Sequence, residues 1–523
     1  MFEEVINKFI KQNNSKIKLN KNKENIVLFD RSLHDQVIRG SLSALAFNEL
    51  FDYKPIVITD KSKNDWQTRI YKSFGIENFM NIWSLKNLIF SPVIVLSAFM
   101  YTIKYIFLVY KKGFHWFIDN FSIQGAECGD LIYDAYIRNN LRFLNPKFYN
   151  PIFASILFKS IFKIVLFLNI FKKNRIKLVI SNSVTSASNS AIGLRVAASQ
   201  KIKIFFSSHN FAKFYERYDD TFVALRKLNK SNLKNFEETE QNLKLIEEYF
   251  KLRLKGVTHG DFAGWRDLKE AYQDKKNYSK EEFLKFLNID KNKFKKINLF
   301  AVHLFADAAH VGGRFFLFKD YYTQFVETLK KIKDYNDDEV LWLIKPHPSA
   351  KYHNESSIVE NYVKQLNYKN ILIYPNEINL KSILNFVDKL VTGRGNIGLE
   401  FACLGKKPII AGVNYYSDLG FVSFPQTQED YYNFIFNKEY DNRLNDKQIL
   451  DAKKTMYLLD HDQVEKIKRG NIIPEKKAID YKMSSEEYFQ KITKNMEVHS
   501  FKSDEYYNDL KRNIIAWTKM EKN

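Results

Sequence analysis

Short apolar runs, each closed by polar or glycine-bearing positions, recur along the chain and alternate with stretches of helical periodicity. The first is Ile26-Val27-Leu28-Phe29, and Pro55-Ile56-Val57-Ile58-Thr59 follows after a helical stretch. A run apolar at every position reads as a strand buried on both faces, and strand–helix–strand at this spacing opens a parallel α/β sheet. A strand over 177–181, a Ser/Asn/Thr-rich turn, a helix carrying Gly193-Leu194-Arg195 and a strand over 202–207 repeat the unit, which predicts a first domain over residues 1–215. Residues 216–294 are charged and helical by periodicity and read as a connection. The pattern then resumes with strands at 297–302, 339–345, 370–374, 389–392 and 408–411 and helices at 318–334, 379–387 and 396–404, a second doubly wound domain over 295–425. Residues 426–523 are polar and helical, a C-terminal extension. The fold class is α/β with two Rossmann-like domains.

Two segments are more apolar than the rest, 88–110 and 152–171. Pro92 and Lys104 interrupt the first, so it lacks the ~20 unbroken apolar residues of a bilayer span. In the second, Lys159 and Lys163 lie four residues apart on one helical face, as in a helix lying at the membrane interface with its lysines toward headgroups. A pair of core helices fits the same pattern, and the choice stays open. Composition is that of a globular protein, 45% hydrophobic and 27% charged, but 81 basic residues outweigh 60 acidic ones, for a formal charge of +21. Such a field favours anionic partners, among them phosphorylated small molecules and an anionic inner-membrane surface. The basic residues are spread evenly, with no arginine-rich arm or zinc-ligand spacing, so nucleic acid is not expected. Cys128 and Cys403 sit apart in apolar settings and read as free buried thiols. The N-terminus shows no signal-peptide core. The expected location is cytoplasmic, peripheral on the inner membrane.

Chemistry concentrates where two strands of the second domain end. The first closes in Lys345-Pro346-His347-Pro348: prolines on both sides hold the backbone extended and present the imidazole beyond the strand, and Lys345 adds a point charge. The second closes in Thr392-Gly393-Arg394-Gly395-Asn396-Ile397-Gly398-Leu399-Glu400, where glycines admit close approach of a ligand and a helix N-terminus near Asn396 favours an anion. Glu400 in the first turn would accept from ribose hydroxyls or offset the helix dipole. Parallel sheets bind ligands at the carboxyl ends of strands, so the pair points to a phosphorylated ligand.

The order of this Lys-Pro-His-Pro strand end, the Gly-Leu-Glu-Phe-Ala helix start at 398–402 and Lys407-Pro408-Ile409-Ile410-Ala411-Gly412 resembles bacterial capsule and surface-polysaccharide glycosyltransferases. The relatives are capsule β-Kdo transferases, sialyltransferases with their His-Pro motif and, more remotely, teichoic-acid polymerases that use CDP-polyols. The resemblance covers residues 295–425 best and 120–210 more weakly. It implies the GT-B fold, two Rossmann-like domains facing a cleft, with a nucleotide-sugar donor, a glycan or lipid-linked glycan acceptor, and neither a further cofactor nor a metal. It also implies that His347 meets the donor phosphate, that Glu400 meets the ribose and that residues 393–398 line the nucleotide. The Ser/Thr pair that the sialyltransferases place near the phosphate is here Thr392, Arg394 and Asn396, which leaves open whether the donor is a CMP-sugar.

Two further segments offer reacting groups. Glu127-Cys128-Gly129-Asp130-Leu131-Ile132-Tyr133-Asp134 resembles an element recurrent in these transferases, and an inverting transfer needs a carboxylate to take the acceptor proton. Asp130 is the first candidate and Asp134 or Glu127 the second; a helix cap at Asp130 fits equally. After the first strand of the second domain come His303, Asp307 and His310, then Gly312-Gly313-Arg314. His303 and Asp307 would act as a base pair or orient the donor sugar, and Arg314 would neutralise phosphate or a sugar carboxylate. A metal is not expected without a third carboxylate. His209, Asn210 and Arg195 are acceptor-side candidates. The reading is thus a glycosyltransferase of capsule or lipopolysaccharide assembly, with a CDP-polyol phosphotransferase or a non-catalytic scaffold as its rivals.

Overall fold

The computed structural model describes residues 2–13, 15–17, 24–29, 34–62, 64–84, 92–138, 141–181, 187–208, 211–215, 218–222, 228, 230–257, 270–310, 313, 315–461, 470–474 and 483–520. It has the expected α/β class, with two separate, mainly parallel sheets flanked by helices. The first has six strands in the order β3-β2-β1-β6-β7-β8: β1 is Asn25–Phe29, β2 Lys54–Thr59, β3 Asn78–Asn81, β6 Ile176–Ser181, β7 Lys203–Ser208 and β8 Phe211–Tyr215. All pairings are parallel except β7 with β8. Between β3 and β6 along the chain comes a separate two-stranded hairpin, β4 (Ser122–Ile123) and β5 (Ala126–Glu127). The second sheet has the order β11-β10-β9-β12-β13, all parallel, from β9 Lys296–Ala301, β10 Val340–Lys345, β11 Ile371–Ile373, β12 Lys389–Thr392 and β13 Ile409–Ile410. The central strands bury every position but their ends, as strands covered on both faces must.

Chain divisions differ from those read in the sequence. One compact unit comprises residues 1–136, 147–224 and 463–523, and the other 137–146 and 225–462. The supposed C-terminal extension is therefore split. Helix Asp446–His461 packs in the second unit's core through Ala452 and Met456. Helices Ser485–Asn495 and Glu505–Met520 instead complete the first unit, with Phe489, Tyr507 and Leu510 in one cluster with Ile6, Phe9, Leu42 and Val57. Trp517 stacks on Phe214 of β8 at 3.4 Å between ring centres. The supposed connection is likewise core, since Tyr249, Phe250, Phe283 and Leu284 join the second unit's apolar cluster.

The two apolar segments become helices Pro92–Asn120 and Pro151–Lys173, both long and apolar enough to cross a membrane by length and composition. Pro92 opens the first helix and does not interrupt it; its missing N–H costs nothing there. They differ in surroundings. The second helix is half core: Phe167 meets Phe29 of β1 and Phe162 stacks on Trp83. Lys163 does not reach for headgroups, because it is largely buried and donates to the Ala187 carbonyl at 3.2 Å, and burial lowers its pKa to about 8. The first helix buries Ile94, Ala98, Tyr105 and Val109 and leaves its opposite face bare.

Candidate functional site

In the second sheet the chain lays down β9, β10 and β11 outward in one direction, then returns to place β12 on the other flank of β9. Where the winding reverses, the loops after β9 and β12 leave in opposite directions, and open α/β sheets bind ligands in the crevice this makes. The residue after β10 that matters is His347. Its backbone is extended (φ −65°, ψ 136°) and it caps the 3-10 helix Pro348–Tyr352, its Nδ1 accepting the Ser349 N–H at 3.1 Å. An imidazole that accepts at Nδ1 carries its proton on Nε2, so the second nitrogen is a hydrogen-bond donor. The prolines thus fix the tautomer as well as the position, by shaping the turn that Ser349 closes. Lys345, at the end of β10, lies with Nζ 5.8 Å from the centre of the Tyr374 ring.

His303, after β9, stands between the two strand ends singled out in the sequence. Its ring is 5.5 Å from that of His347 and stacks at 4.0 Å and 11° on Tyr321, the first residue of helix Tyr321–Tyr335. Tyr321 in turn closes on the backbone after β12: a Cβ on Gly393 would fall 2.8 Å from its Cε1. One contiguous surface of two imidazoles, a tyrosine and a glycine turn therefore joins the carboxyl ends of β10, β9 and β12. Asp307 ends this loop, partly exposed, its carboxylate accepting the Ala308 N–H at 2.9 Å and lying 3.3 Å from the Arg138 guanidinium. Arg138 belongs to the 137–146 segment, whose Phe143 packs against Phe305 and Tyr322. Arg314, His209 and Asn210 lie outside the described residues.

A residue that sequence reasoning missed braces this loop. Glu355, almost fully buried, accepts the N–H groups of Phe305 and Ala306, each at 2.8 Å, one on either carboxylate oxygen. Burial pushes its pKa up to about 7; the two N–H groups oppose that and the charge of Asp307 adds to it. Because the folded-state pKa lies above the ordinary glutamate range, the folded protein holds this proton more tightly. Stability from this group is full below that range and is lost as pH rises toward about 7. Melting wild type and Glu355→Gln side by side should show the wild type's advantage shrinking from pH 5 to pH 8. A gap that stays constant or widens would contradict this account of the clamp.

Around the glycine turn, several expected ligand contacts turn out to be engaged by the protein. Arg394 is buried and donates to the carbonyls of Gly313 (2.9 Å) and Phe315 (2.8 Å), tying down the segment after the 303–310 loop. Gly398 is required by packing, since a Cβ there would fall 2.5 Å from the Tyr416 hydroxyl, which donates to the Gly395 carbonyl at 2.6 Å. Helix Asn396–Cys403 starts where expected, with Gly395 as its cap and Asn396 half-buried in its first turn. Glu400, however, lies one turn further in and is buried. One carboxylate oxygen accepts from Arg253 Nε (2.9 Å) and a terminal guanidinium nitrogen (2.7 Å), and the other accepts the Tyr272 hydroxyl. This corrects its placement in the first turn, and its expected offset of the helix dipole goes with it. The contacts are those of a core ion pair, where a ribose contact was expected.

In the first unit the expected acid group is also an interior one. Gln124 and Gly125 make a two-residue turn with positive φ at both positions, the geometry that lets β4 and β5 pair. Helix Gly129–Ile137 follows, and Asp130 in its first turn receives both arms of Arg195, at 2.7 and 3.3 Å. Arg195 also donates to the carbonyls of Glu127 (2.7 Å) and Thr221 (3.2 Å) and lies 3.3 Å over the Phe222 ring. The pair is almost fully buried, so Asp130 holds this helix to Asn189–Ser199. Asp134 is buried on the same helix, and the Glu127 backbone N–H donates to Tyr218. Burial raises the Cys128 and Cys403 thiols far above their ordinary pKa, which keeps both protonated and unreactive.

Residues 216–468, just under half of the chain, match the model of a family described as capsule polysaccharide biosynthesis protein. The matched stretch holds every residue of the surface after β9, β10 and β12, whereas Glu127, Asp130 and Asp134 lie outside it. No curated protein matches the chain. Among solved structures, the chain is similar to a beta Kdo 2,4 transferase, KpsC, of Thermosulfurimonas dismutans, at 16% identity over 56% of this chain and 87% of that one, with a TM-score of 0.32. It is also similar to a glycosyltransferase from Rickettsia africae (11% identity, 96% of this chain, 100% of that one, TM-score 0.23). A third is a UDP-GlcNAc 2-epimerase from Methanocaldococcus jannaschii in complex with UDP-GlcNAc and UDP (13%, 84% and 99%, TM-score 0.24).

Proposed function

We propose that this protein is a glycosyltransferase that moves a sugar from a nucleotide-activated donor to a growing capsule or lipopolysaccharide glycan. The observation that carries the reading is the meeting of His303 and His347 beside the Gly393 turn, at the winding reversal of the sheet in the matched stretch. In this reading the Nε2–H of His347 donates to the donor phosphate and Lys345 adds positive charge. Backbone N–H groups at the start of helix Asn396–Cys403 receive the charge that develops on the leaving phosphate. His303 orients the donor, its ring held flat on Tyr321. Asp307 is the carboxylate best suited to take the acceptor proton, since it borders His303 and stays partly exposed. Asp130, with both oxygens on Arg195, keeps a structural part. The acceptor is a glycan, lipid-linked in the form that docks at a membrane.

Calorimetry with CMP, CDP, UDP and GDP, followed by analysis of products from the matching donor, tests this. Binding of one nucleotide, with that nucleotide released and no phosphate in the product, supports sugar transfer. Release of CMP with phosphate retained in the product means a CDP-polyol phosphotransferase. Absence of binding by all four nucleotides would leave a scaffold and overturn the proposal.

A further inference from the structure

Helix Pro92–Asn120 breaks at Gly113, whose backbone (φ 80°, ψ 171°) leaves the helical region with open space where a side chain would project. The part before the break, 92–112, is about 30 Å long at 1.5 Å per residue. One side of it is seated on the first unit through Ile94, Ala98, Tyr105 and Val109, and the Tyr105 hydroxyl donates to the Ser122 carbonyl at 2.7 Å. The other side carries Leu96, Phe99, Met100, Ile103, Phe107 and Tyr110, each between 52% and 65% exposed. At 3.6 residues per turn these six positions spread over about 100° of the helix surface. The stretch 92–112 has no acidic residue, and its three cations are Lys104, Lys111 and Lys112. Lys104 and Lys111, seven residues apart, line one edge of the apolar face, with Lys111 Nζ 4.6 Å from the Phe107 ring centre and Lys104 Nζ 5.6 Å from that of Tyr105. Their stems cover apolar surface while their charged ends stay in water.

We infer that residues 92–112 form a lipid-docking ridge that lies in the headgroup layer of an anionic bilayer and seats the first unit on it. Length and hydropathy also suit a membrane span, but one side of this helix is seated on the first unit, where its Tyr105 hydroxyl is bonded to the hairpin strand that holds Ser122. A second copy of the chain packed as a coiled coil would use the narrower two-in-seven seam, and the bare face here is broader than that. An apolar face edged by lysines and free of acids is complementary to acyl chains below and anionic headgroups beside it. The inference extends the lipid-linked acceptor of the proposed function, but its test uses no transfer reaction, so either can fail alone.

Co-sedimentation of the full chain with phosphatidylcholine vesicles, and with vesicles containing about 30 mol% phosphatidylglycerol, tests it. Wild type is expected to sediment with the anionic vesicles and to be released by high salt. Leu96→Asp/Phe99→Asp/Ile103→Asp, with an unchanged thermal melt, is expected to bind at least about tenfold more weakly. Lys104→Gln/Lys111→Gln/Lys112→Gln leaves the apolar face intact and is expected to lose the preference for anionic over neutral vesicles, which keeps the test decisive if the aspartate variant fails to fold. The inference is overturned if wild type stays in the supernatant with both vesicles, or if the variants sediment as wild type does. It is also overturned if the aspartate variant turns a wild-type dimer into a monomer without affecting vesicle binding, which would make this face a contact between copies.

Discussion

Truncating Arg253 to alanine is expected to cost the second unit about 3–5 kcal/mol, because it leaves the Glu400 carboxylate buried without its cation. Domains are stable by roughly 5–15 kcal/mol, so the variant should be largely insoluble or melt far below wild type. The cause lies in the geometry. Two guanidinium nitrogens share one Glu400 oxygen at 2.7 and 2.9 Å, the Tyr272 hydroxyl takes the other, and both charged side chains are almost wholly shielded from water. Burial also raises the Tyr272 phenol well above its ordinary pKa, with the Glu400 charge adding to it, so the hydroxyl stays a donor. The informative partner is Arg253→Met/Glu400→Gln, which removes both charges, keeps an acceptor for Tyr272 and roughly keeps volume. Thermal melts should place it much nearer wild type than Arg253→Ala, since removing a buried pair together is far cheaper than breaking it. Equal losses in the two variants would mean that the helix packing of residue 253, and not the charge, governs the site.

Replacing His347 with alanine is expected to lower transfer by about 10²–10³-fold, the usual cost of removing one donor to a developing oxyanion. Stability should fall as well, by about 1 kcal/mol, because the Ser349 N–H loses its cap acceptor. These two roles of one ring can be separated. His347→Asn restores a cap acceptor, and asparagine is among the best N-cap residues, so the melting temperature should recover while transfer stays low. Rates for the two variants with the nucleotide donor found by calorimetry decide the matter. If His347→Ala transfers as fast as wild type, the phosphate lies elsewhere.

Much of this arrangement was legible in the linear chain. Strands β1, β2, β6, β7, β9, β10, β11, β12 and β13 were each visible as an apolar run, which a parallel strand in a covered sheet needs. Strands β3 and β8 were not: Asn78–Asn81 is only half-buried at an edge, and Phe211–Tyr215 is a short antiparallel strand beside β7 with Lys213 at its centre. The strand ends at His347 and Gly393 were readable from proline and glycine placement, yet the meeting of His303 with both depends on strand order, which local sequence does not encode. Glu355 looked like any acidic residue at a helix start. Arg253 carries a signal of its own in the sequence. It follows Ile246, Tyr249 and Phe250 at helical spacing, so a cation stood on the apolar face of its helix and required a buried acid somewhere. The tail helices could not be assigned, because polar amphipathic helices carry no address for the sheet they cover.

The interleaving of the two units along the chain has a consequence for synthesis. The first unit lays down its last sheet strand by Tyr215, but Phe489, Tyr507 and Leu510, which cover Ile6, Phe9 and Leu42, are translated after the whole of the second unit. At roughly 5–20 residues per second, a ribosome takes on the order of 10–50 s to cross that interval. Throughout it the nascent first unit exposes the apolar bed on which the tail helices will lie, while the second unit, which already owns residues 137–146, completes itself around them. Expression of residues 1–224 alone would make that transient exposure permanent.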